Sequence, residues 1–208
     1  LRLAFDHHRS LARGLEGGAG QAAGIAGAFD EKRSGRTLVN MMSLDMIVGS
    51  GGVLSHAPRR AQSALMMMDA YQPEGITLLT VDSIFMMPQL GILSTILPEA
   101  ATHVFEQDCL VYLGSCISPV GVAKDGEPCL TITFRGKTES IPTGQIRVLP
   151  LGMKNSTNAG GATEMSGGIV QLDSNEPERE EVLLQPAKNF DVGEGKGKPR
   201  TATVTGGI

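Results

Sequence analysis

Tryptophan is absent from this sequence, aromatic residues make up only 4% of it, and cysteine occurs three times. Three widely spaced cysteines (Cys109, Cys116 and Cys129) do not make a disulfide framework and suit reduced, buried thiols in an intracellular protein. No apolar run approaches the ~18 residues a membrane span needs. No basic-then-apolar leader follows Leu1. The expectation is therefore a cytoplasmic chain that forms part of something longer and has no membrane partner. A basic excess is also lacking. The 18 Lys and Arg against 22 Asp and Glu leave a net charge of −4 and a pI near 5.6. That argues against a nucleic-acid protein working by bulk electrostatics. Glycine shows no period of three, which excludes collagen. With 41% hydrophobic residues and a mean hydropathy of zero, wholesale disorder is excluded too.

What the chain does have is glycine and methionine. Its 27 glycines in 208 residues are about twice the usual ~7%. Eight of its ten methionines fall between Met41 and Met87. A chain of this length buries roughly 70% of the surface its unfolded form exposes, enough for one large domain or two small ones.

Residues 1–37 form a mixed lead-in to an α/β domain, in which Gly17 to Gly27 reads as loop or frayed helix before the charged Asp30-Glu31-Lys32-Arg33. From residue 38 the pattern sharpens. Leu44 to Val48 is a short apolar run entering the turn Gly49-Ser50-Gly51-Gly52, as a buried strand does. A helix follows, with Pro58 in its first turn and Ser55 or His56 near its cap. Its apolar face is read as Ala61, Ala64, Leu65 and Met68, opposite Arg59, Arg60 and Gln62. Ile76 to Val81 is a second strand, Ile84 to Ile96 gives short helical pieces, and Pro98 opens another helix. This alternation defines an α/β segment over 38–121. Beyond it, residues 129–134, 145–151, 167–172, 180–186 and 201–208 alternate as strands do, so 122–208 is read as a β-rich domain.

Four features could carry chemistry. The turn at Gly49, Ser50, Gly51, Gly52 and Val53 lacks bulky side chains, so a ligand could approach the backbone and an anion could meet a helix N-terminus. It is not the G-x-G-x-x-G of a dinucleotide fold, and a tight turn that binds nothing fits the pattern equally well. Asp82 ends a predicted strand, where carboxylates of α/β proteins face a ligand crevice; a helix cap for Ile84 onward is the alternative. The run Gly193 to Pro199 only superficially resembles a phosphate loop. Its glycine spacing is one residue short and proline follows Lys198, so it reads as a turn between strands. The methionine cluster fits core packing better than a binding face, although methionine suits both. The histidines (His7, His8, His56, His103) and the cysteines lack zinc spacing, so no metal site is read. Asn155-Ser156-Thr157 is a glycosylation sequon without meaning unless the chain is secreted.

The stretch MIVGSGGVLSHAPRRAQSALMMMDAYQPEG, then VDSIFMMPQLGILS and PEAA, resembles the glutamate mutase L (MutL/GlmL) family. LGSCISPVG and LQPAKNFDVGEGKGK fit that family's later part, so the resemblance runs from about Leu38 to Ile208. It implies an incomplete actin/Hsp70-like ATPase segment followed by a mainly β domain. The implied role is an ATP-binding reactivating factor or chaperone for an adenosylcobalamin-dependent mutase, with ATP and Mg as cofactors of the full-length parent. In such ATPases a strand, a Gly-Gly turn and a helix contact the adenosine. That matches Gly49, Ser50, Gly51, Gly52 and Val53 here, with Asp82 as a further cleft residue. No Asp-x-Gly phosphate loop precedes Leu38, and the ending the family leads one to expect is missing after Ile208. The expectation is a C-terminal portion that does not hydrolyse ATP alone. The rival reading is a non-enzymatic interaction module in which the glycine turn is architectural.

Overall fold

The computed structural model describes residues 1–15, 39–149, 151 and 177–206. The glycine-rich stretch 17–27, the charged cluster 30–33, the sequon at Asn155 and the expected strand 167–172 lie outside the described residues. The chain mixes helix and strand, as an α/β reading requires.

The first sheet is built around β2 (Gly75–Asp82), whose residues are nearly all buried. Its almost continuous apolar run is the pattern of a strand covered on both faces. β1 (Met46–Gly49) lies parallel to it and β3 (Leu110–Ser118) antiparallel. Two buried threonines of β2 fix the parallel pair from the side. The Thr77 hydroxyl donates to the Leu44 carbonyl at 3.1 Å, and that of Thr80 to the Ile47 carbonyl at 3.2 Å.

Between β1 and β2 the chain forms α2 (Gly52–Ser55) and α3 (Arg60–Tyr71). The helix expected to be capped near Ser55 or His56 starts instead at Arg60, the single turn α2 precedes it, and Pro58 lies ahead of the α3 cap rather than in its first turn. Arg59 is that cap, and the Gln62 side-chain oxygen accepts its N–H at 3.2 Å. At the far end Gln72 adopts a left-handed conformation and Pro73 prevents continuation. The expected apolar face also differs. The buried residues of α3 are Ser63, Met67 and Ala70, whereas Ala61 and Leu65 are exposed. Apolar residues lie on nearly every side of this helix, so periodicity alone could not choose the inward face. Met67, Leu54, Leu79, Val81, Leu113 and Cys116 form the core between α3 and the sheet. α1 (Arg2–Leu15) joins the outside of α3 through an edge-on contact of Phe5 with Tyr71, at 5.2 Å between centroids.

After β2 come α4 (Met87–Leu93) and α5 (Pro98–Val104), which pack together, and a wide π-type turn over Phe105–Cys109 that leads into β3. A second, antiparallel sheet follows. It contains β5 (Pro128–Phe134), β6 (Lys137–Pro142), β7 (Arg179–Pro186) and β9 (Arg200–Thr205) in the order β6-β5-β7-β9. β7 alternates cleanly, with Val182 and Leu184 inward and Glu181, Leu183 and Gln185 outward. A two-residue pairing of β4 (Val120–Gly121) with β8 (Phe190–Asp191) precedes the last turn. The expected strand at 145–151 is not formed over 145–149. There Ile146 and Val148 face solvent, while Leu149 and Leu151 pack on the core of the second sheet. That core also takes in Ile76 and Ile117 from the first sheet, and the Ser115 hydroxyl accepts the Thr205 N–H at 2.8 Å.

Candidate functional site

β1 and β2 run parallel with Gly49 opposite Val81. Ser50-Gly51-Gly52, which follow β1, and Asp82, which ends β2, therefore lie side by side at the carboxyl end of the pair. This is where open α/β sheets form ligand crevices. The Ser50 hydroxyl lies 3.5 Å from Asp82 Oδ2, a long contact that nevertheless places the two predicted site residues together.

The three glycines of the turn answer to different constraints. A Cβ on Gly49 would lie 2.8 Å from Leu54 Cδ1 and 3.0 Å from Met67 Sδ, so packing requires glycine there. Gly51 has φ +99° and ψ 158°, a region essentially reserved for glycine. Gly52 opens α2 with an ordinary φ, and the nearest atom to a Cβ there would be His56 Cδ2 at 3.9 Å. Neither conformation nor crowding demands glycine at position 52. Its effect is to leave bare backbone at the mouth of a groove of about 530 Å³. Val53, Pro58, Leu65 and Met66 give this groove apolar walls, and His56 and Gln62 supply polar groups.

A buried network holds the turn. The Ser55 hydroxyl donates to the Asp82 carbonyl at 2.5 Å, Ser63 donates to the Leu54 carbonyl at 2.7 Å, and Arg60 donates to the Ser55 carbonyl at 2.7 Å. The last carbonyls of α2 are thus satisfied by side chains of α3. The sequence places Ser55 only near a cap and Arg60 only on a polar helix face, and it does not single out Ser63, a small polar residue among apolar ones. The helix after the turn is a single turn long, so it offers an anion little of the macrodipole that the expected helix N-terminus would supply.

Asp82 ends β2, is fully buried and serves the helix-start role considered for it. Its carboxylate accepts the Met87 N–H at 2.9 Å and the Ile84 N–H at 3.3 Å, which ties down the start of α4. A carboxylate so enclosed is a positioning group rather than a metal ligand. Among the described residues no three His, Cys, Asp or Glu gather in a way that could hold a metal ion. All three cysteines are free and buried. Burial pushes the Cys116 thiol up to about 11, and it also raises Cys109, where Asp82 and Asp108 add to the effect. Burial raises Cys129 as well, so none is an activated nucleophile.

A sequence model of the family described as MutL protein matches residues 1–109, more than half of the chain. The chain belongs to the MutL protein family. No curated protein and no solved structure shows a match. The MutL match takes in β1, the glycine turn, α3, β2 and Asp82, so every predicted site residue lies inside it. Its bounds differ from those read in the sequence. It includes residues 1–37, which the resemblance left out, and stops at Cys109, before LGSCISPVG and the antiparallel sheet. Among the described residues, no helix of this MutL chain is long and apolar enough to cross a membrane.

Proposed function

We propose that the turn Gly49, Ser50, Gly51, Gly52 and Val53 forms the adenosine wall of an actin/Hsp70-like nucleotide cleft. The parent protein would be a cytoplasmic reactivating factor for an adenosylcobalamin-dependent mutase of the glutamate mutase type. The observation that carries the reading is Gly52, a glycine that the fold does not require, placed where the parallel strands end and a groove begins. MutL family membership supports the association with the glutamate mutase system.

In this reading bare backbone at Gly51 and Gly52 lies against the sugar and base. The apolar walls of Val53, Leu65 and Met66 exclude water from the base, and Gln62 or His56 supplies hydrogen bonds at its edge. Asp82 holds Ser50 and the start of α4 in one frame. In this reading the described residues hold the adenosine part of ATP, and its phosphates and Mg are held by other parts of the parent.

The test is a titration of the longest chain that carries these residues with fluorescent ADP and ATP analogues. Gly52→Val should weaken binding about tenfold or more, roughly 1.4 kcal/mol, with little change in melting temperature. Absence of binding, or equal binding by Gly52→Val, overturns the nucleotide reading. Nucleotide-dependent association with the mutase, followed by analytical ultracentrifugation, tests the reactivating role separately.

A further inference from the structure

Between Arg60 and Lys124 the sequence contains no lysine or arginine, while Asp69, Glu74, Asp82, Glu99, Glu106 and Asp108 all fall there. Inside this stretch, residues 83–98 carry no Asp, Glu, Lys, Arg or His. A neutral segment of that length would ordinarily be core. Here it is surface: Ile92 is 72% exposed, Ile96 75%, Ile84 57%, Leu97 55% and Phe85 51%, and Leu90 is the only buried side chain of α4. Monomeric proteins rarely leave contiguous apolar surface of more than a few hundred Å² without a use for it.

Two features show that this surface is built rather than merely uncovered. Phe85 has φ +61°, a left-handed conformation that a bulky residue adopts only when its surroundings impose it. Those surroundings include Asp82, whose carboxylate holds the N–H groups of Ile84 and Met87 on either side. A buried carboxylate thus anchors both sides of a loop in which the Phe85 ring is half-exposed. The second feature is the rim. α5 and the turn after it expose Glu99, Glu106 and Asp108, and a groove of about 430 Å³ lies along Glu99, Thr102, His103 and Glu106. Among the described residues, no basic group pairs with these three carboxylates.

We infer that the Ile84–Glu106 surface docks an amphipathic helix of a partner protein, one that carries an apolar stripe flanked by lysine or arginine. The apolar side chains of α4 and the loops beside it receive the stripe, and the acidic edge of α5 receives the cations. The surface is helical and offers no free strand edge, so recognition runs through side chains in the manner of a helix laid in a groove. The absence of lysine and arginine from 61–123 makes the charge preference one-sided. This inference does not depend on nucleotide binding.

The test uses two synthetic helical peptides of about 16 residues, roughly 24 Å long. They share one leucine stripe, and one carries lysines on its flanks where the other carries glutamates. Binding to the whole chain is followed by fluorescence anisotropy. The lysine peptide should bind about tenfold or more tightly than the glutamate peptide, with the gap narrowing as salt rises. Ile92→Ser with Ile96→Ser should weaken the lysine peptide about tenfold, and Glu99→Lys with Glu106→Lys should reverse the preference. All four positions are exposed, and an unchanged melting temperature confirms that the variants are folded. The proposal is overturned if neither peptide binds, if both bind alike, or if the isoleucine variant binds as well as the parent. It is also overturned if sedimentation shows a dimer of this chain that Ile96→Ser disperses, or if neutral lipid vesicles occupy the surface in its place.

Discussion

Two glycine-rich turns among the described residues are built for opposite ends. At Gly193-Glu194-Gly195-Lys196-Gly197 the glycines are accounted for from within. All three have positive φ, and the Asp191 carboxylate accepts the N–H of Gly193 at 2.7 Å and of Gly195 at 2.9 Å. A Cβ on Gly193 would run into the Arg200 guanidinium, which itself donates to the Val192 carbonyl at 2.8 Å. That turn is closed on itself by its own hydrogen bonds. At Gly49 to Gly52, by contrast, one glycine is required by packing, one by conformation and one by neither. The contrast teaches that a glycine count signals a binding loop only after the architectural demands have been subtracted.

The largest effect expected from probing this contrast lies beneath the first turn. Met67 is fully buried against Gly49, and Met67→Ala should destabilise the chain by about 2–5 kcal/mol in urea unfolding. At the second turn the side chain that meets Gly193 is Arg200 rather than a core residue. Arg200→Ala removes one hydrogen bond to Val192 and should remove about 1 kcal/mol. If the two variants prove equal, the first turn does not rest on the core as described.

Next come the glycines with positive φ. Gly51→Ala forces a side chain into a region essentially reserved for glycine but meets no atom within 4 Å, so strain alone should remove about 1–3 kcal/mol. Gly193→Ala adds a collision with Arg200 to similar strain and should be the worse of the two. Double substitution with Arg200→Ala should recover the difference. Gly52→Ala is the discriminating case. Its φ is ordinary and the space is open, so thermal melting should show no loss, or a gain of up to about 1 kcal/mol. A destabilising Gly52→Ala would mean that the fold needs this glycine after all.

Much of this was legible in the sequence, and the failures have specific causes. β1, β2, β5, β7 and β9 followed from apolar runs and alternation between turn residues. β3 did not, because its register shifts opposite Leu79 and Thr80, with Gly114 at φ +130°, and the bulge destroys the period of two. β6 was missed because it is an edge strand of mostly polar residues, Lys137 to Ser140. At the site, Gly49 to Val53 and Asp82 were named from strand-to-turn logic, and the structure brings Ser50 and Asp82 together. The bonds of the buried Ser55 and Ser63 were not legible, since a hydroxyl donating to a carbonyl nine or 27 residues away leaves no mark in local pattern. The distinction among the three glycines was equally hidden, because it depends on Leu54, Met67 and His56 as neighbours in space.

The smallest effect belongs to the second turn and depends on pH. The N–H groups of Gly193 and Gly195 hold the Asp191 carboxyl below its ordinary value of 3.8. The folded state therefore favours the ionised form. Its stabilising contribution is complete above the unfolded value and disappears as pH falls from there through the lower folded value. Melting curves of the parent chain and Asp191→Asn should differ by a constant amount near neutrality and converge below about pH 3.8. Because the carboxylate is at the surface, added salt should shrink the gap without abolishing it, since two directed N–H donors remain. Curves that stay parallel down through that range would mean the turn is held by Arg200 and the chain's own geometry rather than by Asp191. The second turn would then share the first turn's dependence on neighbouring elements, and the contrast between them would rest on Gly52 alone.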